Sequence, residues 1–297
     1  MTNLPIELRN ILSKKFILRK LTIQSQNCSQ KDPTQKFNFN TTEHQTVSAV
    51  FLPHLTYQSA CISTQVGCAW KCQFCASGLV PFQRNLTTGE ILDQIFLIEE
   101  RTNEKIQNIL FMGMGEPLAN YENTVQSIRW MISKNGLQKS PARITLSTTG
   151  VVPQIKKLAE EKLNIHLALS LHAPNDSIRK KIMPVSSKFH IRDVLNACKY
   201  FQTLNKSELT FEYILLKDVN DRSQDAEELV QLIESFSFIR PPKINLIPYN
   251  PVPDLPYHPP QPQQIDFFHN YLKSKNFIVH SRKPQGQDIG AACGQLS

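Results

Sequence analysis

The 297-residue chain has seven cysteines, three of them packed as Cys68-x-x-x-Cys72-x-x-Cys75, with a fourth, Cys61, seven residues upstream. A disulfide needs two thiols, and structural zinc needs four ligands, usually in paired CxxC or Cys/His knuckles. Three thiolates on one short loop suit three irons of a cubane [4Fe–4S] cluster and leave the fourth iron without a protein ligand. An open coordination position is how a catalytic metal site admits a reactant. The competing reading is structural zinc with Cys61 or Cys293 as the remaining ligand, and the spacing favours the cluster.

Thirty-eight residues beyond Cys75 the chain reads Gly113-Met114-Gly115-Glu116-Pro117, directly after an apolar run. A carboxylate and a glycine carbonyl suit an ammonium group by charge and by close approach. Together with Phe74 before the last cysteine, this pattern resembles that of radical S-adenosylmethionine (SAM) enzymes. In those enzymes the open iron chelates the amino and carboxylate groups of SAM.

Repeating elements must position these groups. Short apolar runs at Ser59–Gln65, Ile109–Met112, Arg143–Leu146, Ile165–Leu171, Thr210–Leu216 and Ile244–Pro248 alternate with segments of helical period such as Tyr121–Lys134 and Asp225–Phe236. Thr87 and Glu90 form a capping-box pair that starts the helix after the cysteines, with Ile91, Ile95 and Ile98 on its inner face. Gly136 reads as the stop of the next helix, whose face carries Val125, Ile128 and Ile132. About six strand–helix units predict an α/β fold with a parallel sheet; a doubly wound sheet and a partial or full barrel fit the period equally. In either, functional groups belong at the carboxyl ends of strands. The cysteines, GMGEP, Ser147–Gly150, Ser170–His172 and Pro248–Pro251 all fall there, which argues for one shared site.

Residues 1–45 read as a polar, irregular N-terminal extension with one basic apolar segment, Phe16–Ile23, and residues 46–297 as the catalytic core with a C-terminal tail. The proline-rich Pro248–Pro262 reads as a surface loop before a helix at Gln263–Lys275, and Phe277–Arg282 as a last strand. Gly286, Gly290 and Gly294 predict a flexible tail, with Cys293 near its tip.

Lys and Arg total 33 against 25 Asp and Glu, a formal charge of +8 that favours a polyanionic partner, nucleic acid above all. Basic clusters at Lys14, Lys15, Arg19 and Lys20, at Arg179–Lys181, and at Arg282 with Lys283 sharpen that preference, although most such clusters are solvated faces. No apolar run approaches the ~20 residues that span a bilayer, and no secretory pattern opens the chain. Scattered cysteines in a chain expected to be cytoplasmic read as metal ligands or reactive thiols.

Seven stretches, CISTQVGCAWKCQFCASG, FMGMGEPLANYENT, ITLSTTGVVP, LALSLHAPND, IMPV, INLIPYNP and DIGAACGQL, together resemble the RlmN/Cfr family of radical SAM RNA methyltransferases from about Ser48 to Leu296. The resemblance implies a partial (β/α)6 radical SAM barrel that methylates an unactivated adenosine carbon. Carbon 2 in 23S rRNA is expected, with tRNA as a further substrate; carbon 8 is the alternative within the family. It implies that Cys68, Cys72 and Cys75 hold the [4Fe–4S] cluster. SAM contacts are implied at Gly115, Glu116, Ser147, Ser170, Leu171, His172 and Asn250. Cys293 is implied as the methyl acceptor and Cys61 as its resolving partner in a transient disulfide.

In the family's scheme one SAM methylates the Cys293 thiolate. A second is cleaved reductively to a 5′-deoxyadenosyl radical that takes a hydrogen from the S-methyl group. The carbon radical adds to adenine, and attack by Cys61 on the Cys293 sulfur releases the product. The scheme needs an electron donor such as flavodoxin, and a monomer is expected. Cys198, in a helical pattern, reads as a buried apolar residue, and Cys28 has no role.

Two departures stand out. The family commonly opens with a longer helical N-terminal domain, and Ser48 stands where it usually carries a glutamate proposed as proton acceptor. Proton removal then falls to Cys61, Glu43 or water. These departures motivate a reading of another class, a non-catalytic iron–sulfur or zinc RNA-binding protein.

Overall fold

The computed structural model describes residues 4–17 and 19–297. Ten strands form one sheet whose spatial order follows the chain. β1 (Leu21–Cys28), β2 (Gln35–Thr41) and β3 (Thr46–Pro53) are antiparallel, and β3 pairs antiparallel with β4 (Gln58–Cys61). β5 (Gln65–Val66) and β6 (Arg84–Asn85) form a separate two-stranded ribbon that brackets the cysteine loop. Onward from β4 every pairing is parallel, through β7 (Asn108–Phe111), β8 (Ile144–Thr148), β9 (His166–Ser170), β10 (Leu209–Leu215), β11 (Lys243–Pro248) and β12 (Val279–Ser281).

Helices fill the crossovers. After α1 (Ile6–Lys15) they are α2 (Thr88–Thr102), α3 (Tyr121–Ile132), α4 (Val152–Glu160), α5 (Asp176–Ile182), α6 (Ile191–Leu204), α7 (Ser223–Glu234) and α8 (Pro262–Ser274). Each parallel step goes to the immediate neighbour. With right-handed crossovers all helices then fall on one face and the sheet curls about the other. A doubly wound sheet would reverse its strand order at a switch point, and this order never reverses. The architecture is therefore the partial barrel of six strand–helix units, with β12 as a further parallel strand.

The capping box forms as expected: the Glu90 amide donates to Thr87 Oγ1 (3.3 Å) and the Thr87 amide to Glu90 Oε2 (2.8 Å). Ile91, Ile95 and Ile98 are fully buried behind it. α3 stops at Ile132, earlier than Gly136 suggests, because Ser133 turns extended; Gly136 instead closes the following turn against Ser133.

Residues 21–53 correct the expectation of an irregular N-terminus. In β2, Phe37 and Phe39 are buried and stacked at 6.2 Å, while Lys36, Asn38 and Asn40 on the opposite face are half-buried. That is the period-two alternation of a half-buried strand; polar residues dominate its composition and hide it. Of the segment 16–23, residue 18 lies outside the described residues. One apolar core runs from Leu21 to Leu296, and a smaller cluster of Phe74, Ile182, Met183, Val185, Ile214, Leu216 and Tyr249 sits against the cysteine loop.

Candidate active site

The carboxyl ends of the parallel strands open on a cavity whose walls include Cys75, Gly115, Glu116, Ser147, Ser170, His172, Glu212 and Arg282. Gly115 has φ +94°, and a Cβ there would lie 2.5 Å from Gln65 Cβ. Only glycine meets both demands. The Gln65 side-chain oxygen Oε1 accepts from the Glu116 amide at 2.9 Å, so β5 and the end of β7 are tied at this point.

Glu116 is buried, and its carboxylate bridges two strand ends. It accepts from the Leu118 amide (3.0 Å), the Thr149 amide (2.7 Å) and the Thr149 hydroxyl (2.8 Å). Burial pushes its pKa up, and these donors oppose the shift. His172, at φ +58°, accepts from the Ile214 amide through Nδ1 at 3.0 Å. Burial, reinforced by Arg179, pushes the imidazole down to about 3. It is neutral at pH 7, with its proton on Nε2. Ser147 Oγ and Ser170 Oγ are 3.5 Å apart on the wall. Leu171 is buried and on neither cavity wall; its carbonyl accepts from Arg179 Nε at 3.0 Å.

A second cavity shares Cys75, Met112, Gly113, Ile247, Arg282, Cys293 and Gly294 with the first and adds Cys61, Asn250 and Leu296. Cys61, at the end of β4, and Cys293, in the tail, thus face one space, and both thiols are free. Burial pushes Cys61 up to about 12, the Cys293 charge adds to this, and the Met112 amide and Arg282 oppose it. Cys293 is exposed by surface area on the cavity wall, yet the surrounding protein pushes its thiol up too, against Arg282. Arg282 Nη2 lies 3.3 Å from Glu212 Oε1, which also accepts from Asn245 Nδ2 at 2.8 Å.

The tail is pinned, contrary to the flexibility its glycines predict. Gly286, Gly290 and Gly294 have φ of +64°, +61° and +85°, so they turn the chain instead of loosening it. Asp32 accepts from the Gly286 amide (2.8 Å), and Asp288 accepts from Ser29 Oγ (2.7 Å) and the Gln30 amide (2.9 Å). The Gly294 carbonyl accepts from the Ala76 amide (2.7 Å), and Asn250 Nδ2 donates to the Cys293 carbonyl (3.0 Å). Asn250 therefore lies on the thiol cavity as an anchor of the tail.

On the cysteine loop, burial pushes Cys68 up to about 11, Cys72 well above its usual value and Cys75 upward; for Cys68 and Cys72 the neighbouring thiols add to it. Such a donor set ionises only against a compensating cation, as iron ligation provides. Among the described residues no three His, Cys, Asp or Glu side chains gather tightly enough for a single metal ion. A cubane takes one thiolate per iron. Cys75 is on both cavity walls; Cys68 and Cys72 are on neither.

Residues 62–233 match the family model described as the Radical SAM superfamily. The chain is 43% identical over 296 residues to a probable dual-specificity RNA methyltransferase RlmN of Endomicrobium trichonymphae, covering 99% of this chain and 85% of that protein. The chain belongs to the RlmN family of radical SAM enzymes. An RlmN of the same description from Alkaliphilus oremlandii is also 43% identical, over 100% of this chain and 85% of its own length. A crystal structure of a radical SAM methyltransferase from Sphaerobacter thermophilus aligns with TM-score 0.94 at 37% identity, over 99% of this chain and 86% of that one. The hydrogenase maturase HydG of Carboxydothermus hydrogenoformans, at 15% identity and TM-score 0.56 over 78% of this chain and 55% of that one, shares the fold alone. Membership of the RlmN family makes the chain a SAM-dependent methyltransferase that uses a [4Fe–4S] cluster. Among the described residues no helix is long and apolar enough to cross a membrane.

Several residues of this RlmN-family site went unread in the sequence. Thr149 anchors Glu116, and Asn220 donates to the His172 and Ile214 carbonyls at 2.8 and 2.7 Å. Thr149 lies inside the Ser147–Gly150 stretch without being singled out there, and nothing local marks Asn220. Glu212 carries a local signal: a carboxylate inside the apolar run TFEYILL must find a partner when that run becomes a buried strand. Its partner, Arg282, follows the last strand. Of the alternative proton acceptors, Glu43 pairs with Arg84 (3.0 Å) and lies on neither cavity. Ser48 is buried, with its hydroxyl bonded to Asn38 Oδ1 at 2.7 Å.

Proposed function

We propose that the chain methylates carbon 2 of adenosine in 23S rRNA, with tRNA as a second substrate, by way of a methyl group carried on Cys293. The observation that carries this reading is the shared wall. Cys61 and Cys293 face one cavity that continues into the chamber of Gly115, Glu116, Ser147, Ser170 and His172. A methyl donor in one space meets a thiol of the other. The dual-specificity description of the relatives supports two classes of RNA substrate, and the +8 charge suits a phosphate backbone.

Cys68, Cys72 and Cys75 would hold the cluster, which when bound supplies the single electron that cleaves SAM. Glu116 and the Gly115 carbonyl take the SAM ammonium. Ser147, Ser170 and the Nε2–H of neutral His172 line the chamber, with Leu171 behind them and Asn250 fixing the tail.

Carbon 2 of adenine is electron-poor, so direct displacement by the ring is not available. The Cys293 thiolate takes the methyl group first, forming an S–C bond as the sulfonium's S–CH3 bond breaks. Burial opposes that thiolate, and Arg282, a cation on both walls, stabilises it. Once the carbon is joined to both ring and Cys293, the adduct gives up one electron, equal to the one that SAM cleavage consumed, and the ring proton, and the Cys61 thiolate then attacks the Cys293 sulfur. An S–S bond forms, the S–C bond breaks, and its electron pair goes to the product, whose new carbon takes a proton from solvent to complete the methyl group; cellular thiols reduce the disulfide. Of the acceptors considered for the ring proton, Cys61 and water remain. A flavodoxin-type donor, a monomeric state and a cytoplasmic setting complete the reading.

Anaerobic turnover with SAM bearing a trideuterated methyl group tests it. Two deuteriums in the added methyl group are expected, in 2-methyladenosine by retention against standards. Retention of all three contradicts passage through a protein-bound methylene.

A further inference from the structure

Arg179, on α5, is fully buried and is the largest such side chain in the molecule. Its Nε donates to the Leu171 carbonyl (3.0 Å), and its Nη2 donates to the carbonyls of Thr149 (2.6 Å) and Ser170 (3.1 Å). Nη1 is buried and has no hydrogen-bond partner among the described residues. Among those residues Arg179 joins no ion pair. Burying a cation without an anion is strongly unfavourable. Carbonyl dipoles offset part of that cost, and a full counter-charge is missing.

The surroundings narrow where that charge comes from. Asp176, the carboxylate on the same helix, is engaged by the Ile191 amide (2.9 Å) and His190 (3.3 Å). Cys198, on α6, is a buried thiol that burial pushes up to about 12, so it is neutral at pH 7. The cysteine loop is left. The Gln73 amide donates to the Ile182 carbonyl at 2.9 Å, one turn beyond Arg179, and Cys72, Cys75 and Trp70 pack against the apolar cluster to which Ile182, Met183 and Val185 belong.

We propose that Arg179 is the buried counter-ion of the cysteine loop. Its charge offsets the negative charge of the loop's thiolates and raises the reduction potential of the cluster they hold. Its carbonyl bonds meanwhile fix the two strand ends that face SAM. The inference rests on the ligand assignment of the preceding section. Arg179 touches neither substrate nor reacting atoms and acts as a positioning residue. A nearby cation favours the more negative, reduced state of a cluster, and inside the protein salt screens it little. A purely structural role would alter stability or SAM binding and leave the potential alone.

The test is an anaerobic redox titration, followed by electron paramagnetic resonance, of reconstituted wild type, Arg179→Met and Arg179→Lys, with SAM binding by equilibrium dialysis. Arg179→Met should shift the midpoint potential to more negative values. Arg179→Lys keeps the charge and loses the fork of donors, so it should hold the potential while SAM binding weakens by roughly tenfold or more. An unchanged potential in Arg179→Met, or an equal shift in Arg179→Lys, overturns the proposal. Arg179→Gln replaces Arg179→Met if the latter does not fold; failure of both to fold without iron assigns the residue to folding alone and also overturns it. A wild type that binds no iron would sink the ligand assignment first, which keeps the two failures distinct.

Discussion

The two cavities lie side by side and are held in different ways. The chamber proposed to take SAM, the SAM side, is made of neighbouring strand ends. Glu116 after β7 is bonded to Thr149 after β8, and Arg179 bonds the same stretch to the end of β9. The thiol-side cavity is closed by a segment from the far end of the sequence, latched to the N-terminal hairpin through Asp32 and Asp288 and to the cysteine loop through Ala76. The first is rigid because the sheet is; the second is only as well placed as a handful of side-chain bonds make it. Binding should therefore belong to the first and coupling of the two half-reactions to the second.

The sharpest way to break this division is to damage each side once. Glu116→Ala strands three donors, two of them backbone amides, and each buried donor left unpaired costs about 1–3 kcal/mol. SAM affinity should fall on the order of a hundredfold in equilibrium dialysis, and the melting temperature should drop. Cys61→Ala removes the thiol proposed to resolve the intermediate and touches none of those bonds. It should bind SAM within about twofold of wild type and yet form no free methylated RNA. Weak SAM binding in Cys61→Ala would show that the two cavities are one mechanical unit.

A milder change separates placement from chemistry. Asp32→Ala combined with Asp288→Ala removes the carboxylate bonds between tail and hairpin, sparing the Lys36 Nζ bond to the Gly290 carbonyl (3.2 Å), and leaves Cys293, Asn250 and Ala76 in place. Misplacing a reacting group by about 1 Å can cost on the order of a hundredfold in rate. Methylated RNA per SAM cleaved should therefore fall several-fold, with SAM affinity unchanged. A ratio equal to wild type would remove the latch from the mechanism.

The same contrast decides what the sequence disclosed. The SAM-side chamber was legible because its residues sit in short motifs at the ends of regular βα units, and a fixed period carries them to one place. Even the barrel became decidable only when the strand order proved never to reverse, since period alone cannot distinguish it from a doubly wound sheet. The latch was illegible. Asp32 and Gly286 are bonded across 254 residues, and no local pattern marks either one. The tail's glycines pointed the wrong way because φ > 0 at glycine serves a tight turn as readily as a loose chain. Arg179 looked like part of a solvated basic cluster with Lys180 and Lys181, yet helix α5 turns it inward and them outward.

Acid should loosen the latch before it loosens the chamber. Burial would raise Asp32, but bonds from Thr34 and the Gly286 amide outweigh it and hold the carboxyl below its ordinary 3.8. Asp288 is held low chiefly by the Ser29 hydroxyl, with the Gln30 amide adding. A carboxyl depressed in the folded state contributes its stability fully above the ordinary value and loses it as pH falls through the depressed one. Glu116 has the opposite sign, since burial raises it, so its protonation is no strain on the fold by this route. Hydrogen exchange of the tail, expressed as protection relative to the intrinsic rate, should therefore hold steady down to about pH 4 and decline below it. The amides of Leu118 and Thr149 should stay protected over the same interval. Equal loss in both places would mean that tail and strand ends open together, and the division between a rigid chamber and a latched one would not survive it.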